Sequence, residues 1–400
     1  MTTTTGADLW SQRADIAQHS LTHFFGAAEP QLLNNDCPHR LGGNRAFNFW
    51  WLAQAVDARL DAFERTADRR WLDEAVRTYR NVVRRNRGSL FNDFFDDMLW
   101  LGLAAVRLSD AVAAATDNAD GTVPTRDYLA DGIAIWERVH SRGWNEQFGA
   151  SLAWRGNRLD YKNGPANGPF AILSCRLAER TADARYLPFG RAAFDWLGAT
   201  LIDPGTGILA DGINREKDGR LDAGWRFTYN QGLYAGAATE LFVATGDRAY
   251  LDRGARTAVA AIDQLATHGV FRPEGDGGDS GLFKGIYYRY AAVLLHHLPP
   301  DQDAARRLTA FIESSTDALV ASSLIQPPTD FLGKPEATGP ADPRGPRPAL
   351  LLAADDWRFP PSGSVAYSTQ LSAIMAIEVR ARVERERADG GLGPHGSASA

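Results

Sequence analysis

The stretch TADRRWL, residues 66–72, returns as TADARYL at 181–187 and TGDRAYL at 245–251, with a shortened TRDYL at 125–129 and a weaker DQDAARRL at 301–308. A unit that recurs at a nearly constant step of about 60 residues marks a repeated supersecondary element. Each copy opens an amphipathic segment. After the first, Trp71, Ala75, Thr78 or Tyr79, and Val82 fall on one face of a helix. The Asp inside each copy suits an N-cap or first-turn position, where a carboxylate accepts from free backbone N–H groups.

Around these copies run segments of different character, rich in Ala, Gly and aromatics and apolar around most of their circumference, such as DDMLWLGLAAVRLSDAVAAA (96–115) and NQGLYAGAATELFVA (230–244). Helices of that kind are buried on more than one side. The alternation predicts six inner helices over 44–65, 96–117, 165–180, 228–244, 282–297 and 363–387, and six outer ones over 7–26, 69–86, 126–141, 183–199, 247–267 and 301–322. The expected fold class is all-α, an (α/α)6 barrel. It would form one domain over residues 1–387, with a disordered tail at 388–400. Inner-to-outer connections are short, whereas those from outer to inner, at 27–43, 87–95, 142–164, 200–227, 268–281 and 323–362, are long. In such a ring the long loops all emerge at one end, and function belongs there. The last of them holds the Pro-rich GKPEATGPADPRGPRPA, 333–349, and no strand pattern stands out.

Composition narrows the partners. The 400 residues are 44% hydrophobic and 23% charged, with 11 Trp and a net charge of −6, which disfavours nucleic acid and anionic membranes and fits a neutral ligand. Cys37 and Cys175 read as free thiols, with no metal-ligand spacing around either, and no metal or cofactor is expected. The start, MTTTTGADLWSQRADI, lacks a cationic segment followed by an apolar one, and no segment approaches eighteen uninterrupted apolar residues. These features predict a cytoplasmic chain without a membrane span. They leave the oligomeric state open.

Inner helices begin at the elaborate end with residues out of keeping with the apolar runs that follow. They are Asn48, Trp50 and Trp51; Asn92, Asp96 and Asp97; Tyr161, Lys162, Asn163 and Asn167; Tyr229, Asn230 and Gln231; Asp279, Phe283 and Lys284. Amides, hydroxyls and ammonium groups beside aromatic faces can satisfy the hydroxyls and apolar ring faces of a sugar. Trp50 and Trp51 point about 100° apart on a helix, so at most one is expected to line the cavity. Lys162 and Lys284 either contact a ligand or pair with loop acids.

Asp96 and Asp97 admit two readings. In one, Asp93 caps the helix while the pair complements its dipole. In the other, two partly desolvated neighbouring acids repel each other, so that one stays ionised and the other protonated, giving a nucleophile and an acid. Neighbours at a helix start can place their carboxyl groups about 5–5.5 Å apart, the separation of retaining rather than inverting glycoside hydrolysis. A sugar epimerase or isomerase would need His bases facing the cavity, and only His39 and His268 fall in mouth loops. A carbohydrate-binding protein without catalysis is the third reading.

Four segments in order, FFDDMLW (94–100), YKNGPANGPF (161–170), TYNQGLYAGAATELFVATGD (228–247) and FKGIYYRY (283–290), resemble glycoside hydrolase family 76. The likeness covers roughly residues 44–380 and implies an (α/α)6 barrel. It also implies endo-acting hydrolysis of α-1,6-linked mannan or mannooligosaccharides with retention of configuration. By position it assigns Asp96 as nucleophile and Asp97 as acid/base. Phe94 and Phe95 stand where the family is expected to favour tyrosines.

Overall fold

A computed structural model of the chain describes residues 5–116, 126–275, 277–325 and 349–390. Twelve α-helices alternate between two rings among these residues. The outer ones are α1 (Gly6–Phe25), α3 (Arg69–Arg85), α5 (Tyr128–Gly143), α7 (Tyr186–Trp196), α9 (Arg248–Leu265) and α11 (Asp303–Ser323). The inner ones are α2 (Phe49–Thr66), α4 (Phe95–Thr116), α6 (Gly164–Thr181), α8 (Thr228–Thr245), α10 (Phe283–His297) and α12 (Tyr367–Ala388).

The repeated Thr-x-Asp stretch is the hinge between rings. At the end of α2, Thr66 Oγ1 donates to the Ala62 carbonyl (2.7 Å) and accepts from the Asp68 N–H (3.1 Å). Asp68 then caps α3 by accepting from the Arg70 N–H (3.0 Å). The residue between them, Ala67, takes a left-handed φ of 54° that ends the inner helix and reverses the chain. Thr245 and Asp247 repeat the pattern around Gly246, and Thr181 and Asp183 around Ala182. One short polar motif therefore ties a carbonyl near the end of one helix to an amide in the first turn of the next.

The inner helices close on themselves. Each packs on the next, from α2 through α4, α6, α8 and α10 to α12, and α12 returns to α2; the outer helices flank them, α11 reaching both α10 and α12. Small residues allow the approach. A Cβ at Gly232 of α8 would lie 2.5 Å from Tyr287 Cα of α10, and one at Gly285 of α10 would lie 2.6 Å from Ser372 Cα of α12. Between the rings, side chains such as Leu99, Ile172, Leu241, Ile286 and Ile374 are wholly buried, each contributing about 1.5–3 kcal/mol. Helix α4 is long and apolar enough to cross a membrane by length and composition, but it is packed here as an inner wall between α2 and α6.

Three local expectations change. The first inner helix begins at Phe49 rather than residue 44, because Asn35 Nδ2 holds the Gly43 and Ala46 carbonyls (3.2 and 3.1 Å) and draws those residues into the preceding loop. Helix α7 starts at Tyr186 and gives way to a π turn at Leu197–Leu201. The 142–164 connection is not irregular: strands Trp144–Asn145, Ser151–Arg155 and Arg158–Asn163, joined by Gly212–Ile213, form a four-stranded antiparallel sheet. Asn167 of α6 pins it, accepting from the Leu152 N–H and donating to its carbonyl, both at 2.8 Å. Except for Ala349, the Pro-rich 333–349 stretch lies outside the described residues, as do residues 391–400 of the expected tail.

Candidate active site

Asp96 and Asp97 occupy the first turn of α4, half-buried at the elaborate end of the ring. The sheet is tied to this point: the Asp93 carbonyl accepts from the Gly156 N–H (3.0 Å), and Phe94 pairs with Arg155. That attachment brings the Trp154 indole N–H to Asp96 Oδ2 (3.0 Å), while the Asp97 backbone N–H donates to Asp96 Oδ1 (2.9 Å). Asp93, expected to cap the helix, is exposed instead, and its neighbour Asn92 organises the helix start: its Oδ1 accepts from the Phe94 N–H (2.8 Å) and its Nδ2 donates to Asp97 Oδ2 (3.0 Å).

These contacts divide the pair. Burial pushes the Asp96 carboxyl up to about 7, opposed by the two N–H groups that stabilise its charge. Asp97 is raised well above the usual carboxylate range, first by burial and then by the charge of Asp96, with the Asn92 amide its main offset. Asp96 is thus the member that ionises first and Asp97 the one that keeps its proton.

A second wall holds Asp279, whose Oδ1 accepts from both the Trp50 and Trp51 indoles (2.8 and 2.7 Å) and whose charge raises both catalytic candidates. Trp50 is half-buried and stacks on Trp100, one turn along α4 from the pair, at 6.0 Å and 27°. Trp51 is 7% exposed and packs edge-on against Tyr367. Both tryptophans therefore converge on one carboxylate, despite pointing in different directions along α2.

The third wall is organised by Asp211, which no sequence pattern singled out. It is buried and accepts from Tyr161 (3.1 Å), Tyr229 (2.9 Å) and Asn230 (2.9 Å), with Arg215 also bound. Phe283 stacks flat on Tyr229 at 3.8 Å. Tyr229 lies within the field of Asp96, which helps burial and Asp211 to hold its hydroxyl protonated. Buried Asn230 Oδ1 has no hydrogen-bond partner among the described residues.

Other named residues build this end of the ring from within. Lys162 is wholly buried, its ammonium on the Asn145 and Gly149 carbonyls (2.7 and 2.6 Å), and burial lowers its pKa to about 8. Asn163 caps α6, accepting from the Ala166 N–H. Gln231 clasps the Leu209 N–H and carbonyl, and Lys284 is sealed against Asp355 (2.7 Å). With Asn167, their polar atoms are spent on the loop backbone or a buried ion pair. Asn48 sits half-buried ahead of α2 without a capping bond. His39 and His268 are surface residues, the latter at a hairpin tip with φ 51°, and neither joins the hydrogen bonds around the aspartates.

The far end of the ring carries different chemistry. A cavity of about 320 Å³ opens there, yet its lining is a lattice of ion pairs: Arg107 with Asp57, Asp61 and Glu64, Arg289 with Asp57 and Asp61, and Arg176 with Glu240. Charges so thoroughly paired plug the axis rather than present reactive groups.

Residues 8–325 match the profile of glycosyl hydrolase family 76. Among solved structures, the Lin0763 protein from Listeria innocua is similar at TM-score 0.81 and 37% identity, covering 94% of this chain and 98% of that one. The GH76A α-1,6-mannanase from Salegentibacter sp. HEL1_6 gives 0.79 and 30%, covering 94% and 99%. An inactive variant of it, with two consecutive aspartates changed to asparagine, is known in complex with α-1,6-mannotriose. Mannan endo-1,6-alpha-mannosidase DCW1 of Saccharomyces cerevisiae is 24% identical over 241 residues, and its namesake in Candida glabrata 28% over 164. The chain spans 51% and 36% of the lengths of these two curated relatives. With a family profile matched over most of its length and full-length structural neighbours, the chain belongs to glycosyl hydrolase family 76.

Proposed function

We propose that the protein is a retaining, endo-acting glycoside hydrolase that cleaves α-1,6-linked mannan or mannooligosaccharides. The observation that carries this reading is the unequal setting of two adjacent carboxyls among aromatic walls: Asp96 takes two N–H donors, and Asp97 takes one amide and its neighbour's charge. Asp96 attacks the anomeric carbon as the linkage breaks, forming a glycosyl-enzyme, while Asp97 delivers its proton to the departing oxygen. Asp97, now ionised, takes a proton from water, which attacks the same carbon and releases Asp96. Trp50, Trp154 and Tyr229 supply apolar faces around the sugar, and Asn92 and Asp279 offer partners for its hydroxyls. The substrate assignment is supported by the mannotriose complex of the Salegentibacter relative. The test is incubation with linear α-1,6-mannooligosaccharides, with product lengths and anomers followed by NMR. Internal cleavage with α-configured first products is expected, whereas β-configured first products overturn the double displacement. Asp96→Asn must abolish turnover, and an epimerised product from that variant would favour an isomerase.

A further inference from the structure

Loop residues 221–227 carry an aromatic group that the site just described does not use. Trp225 is 48% exposed, yet its position is fixed. Its backbone N–H donates to the Asp222 carbonyl (2.8 Å), and its backbone carbonyl accepts from the Asp211 N–H (2.9 Å). The Arg215 guanidinium lies 3.9 Å from its ring centroid and is itself held by Asp211 and Asp222. One face of the indole is therefore covered and the other left to solvent. Arg215 is outweighed by the two carboxylates that hold it, so the platform has no surplus positive charge with which to bind an anion and suits a neutral ligand.

The platform is continuous with the active site. Trp225 meets Phe227 edge-on at 5.8 Å, Phe227 meets Phe283 at 5.1 Å, and Phe283 stacks on Tyr229, which feels the charge of Asp96. On the other side, Arg215 also covers Tyr161, whose ring packs edge-on against Trp154. We infer that the open face of Trp225 is a distal subsite that stacks a hexopyranose unit of the polymer, several units from the bond being cut. Pyranose C–H faces suit an indole face, and an indole already immobilised loses little freedom on binding. The inference rests on the glycosidase reading above, and it makes chain length a determinant of turnover.

The experiment compares wild type, Trp225→Ala and Trp225→Phe on α-1,6-mannotriose and α-1,6-mannohexaose. Loss of the stacking face is expected to lower kcat/KM on the hexaose about tenfold, through KM, with the triose changed less than twofold. The Phe variant should recover most of the loss. Equal effects of Trp225→Ala on both lengths, or none on either, overturn the subsite while leaving the hydrolase reading intact. A wild-type protein that cleaves neither oligosaccharide overturns both.

Discussion

Changing Asp96 to Asn should make the protein more stable at neutral pH while abolishing activity. The Asp96 carboxyl rises from 3.8 to about 7 on folding, so between those values the folded state holds a proton that the unfolded chain has released. Folding stability therefore falls as pH rises through that window, is unaffected below it, and carries the whole penalty above it. At about 1.4 kcal/mol per unit, the shift corresponds to roughly 4 kcal/mol. Because the side chain keeps partial contact with water, about 2 kcal/mol is the better expectation. Unfolding entropy of about 2.1 cal/mol/K per residue converts this to a rise of about 2–3 °C in a chain of this length. Thermal unfolding of wild type and Asp96→Asn at pH 4 and pH 8 provides the assay. A gain confined to pH 8 is expected. Equal midpoints at both pH values, or a less stable variant at pH 8, would show that the pair carries no electrostatic strain.

Trp154→Phe removes one of the donors that stabilise ionised Asp96, so the acid limb of the pH–rate profile should move upward by about 0.5–1 unit with kcat reduced. An unmoved limb would dismiss the indole as a tuning group. Ala182→Gly relieves a left-handed alanine at φ 54°, and chemical denaturation should show a gain of about 0.5–1 kcal/mol. Gly232→Ala drives a methyl into the α10 backbone; a cost of about 2 kcal/mol or more is expected, and a neutral result would mean that the α8–α10 contact is loose.

Architecture was more legible in the sequence than the site. The ring could be read because its turns are local chemistry: Thr66, Asp68 and their counterparts act within a few residues, and the apolar, Gly-rich inner helices differ visibly from the amphipathic outer ones. The 144–163 sheet escaped because it is held by Asn167 of the helix that follows and by pairing with Gly212–Ile213, about fifty residues on, rather than by alternation. The place of Asp96 and Asp97 at the elaborate end of the ring was legible because neighbouring acids at the start of a buried helix form a conspicuous sequence pattern. Asp211, Arg215 and Trp154 carry no such mark, since each acquires its role from a contact made far along the chain. Lys162, Gln231 and Lys284 show the converse. Polar residues at the start of inner helices are also what a long loop needs to satisfy its own backbone, and sequence position does not separate the two uses.

The division of labour between the two aspartates is tested most directly by azide rescue with an activated α-1,6-mannobioside carrying a dinitrophenolate leaving group. Asp97→Ala should form the glycosyl-enzyme and be rescued to the α-glycosyl azide, whereas Asp96→Ala should yield only the β-azide, by one direct displacement. An α-azide from Asp96→Ala together with a β-azide from Asp97→Ala would contradict the assignment.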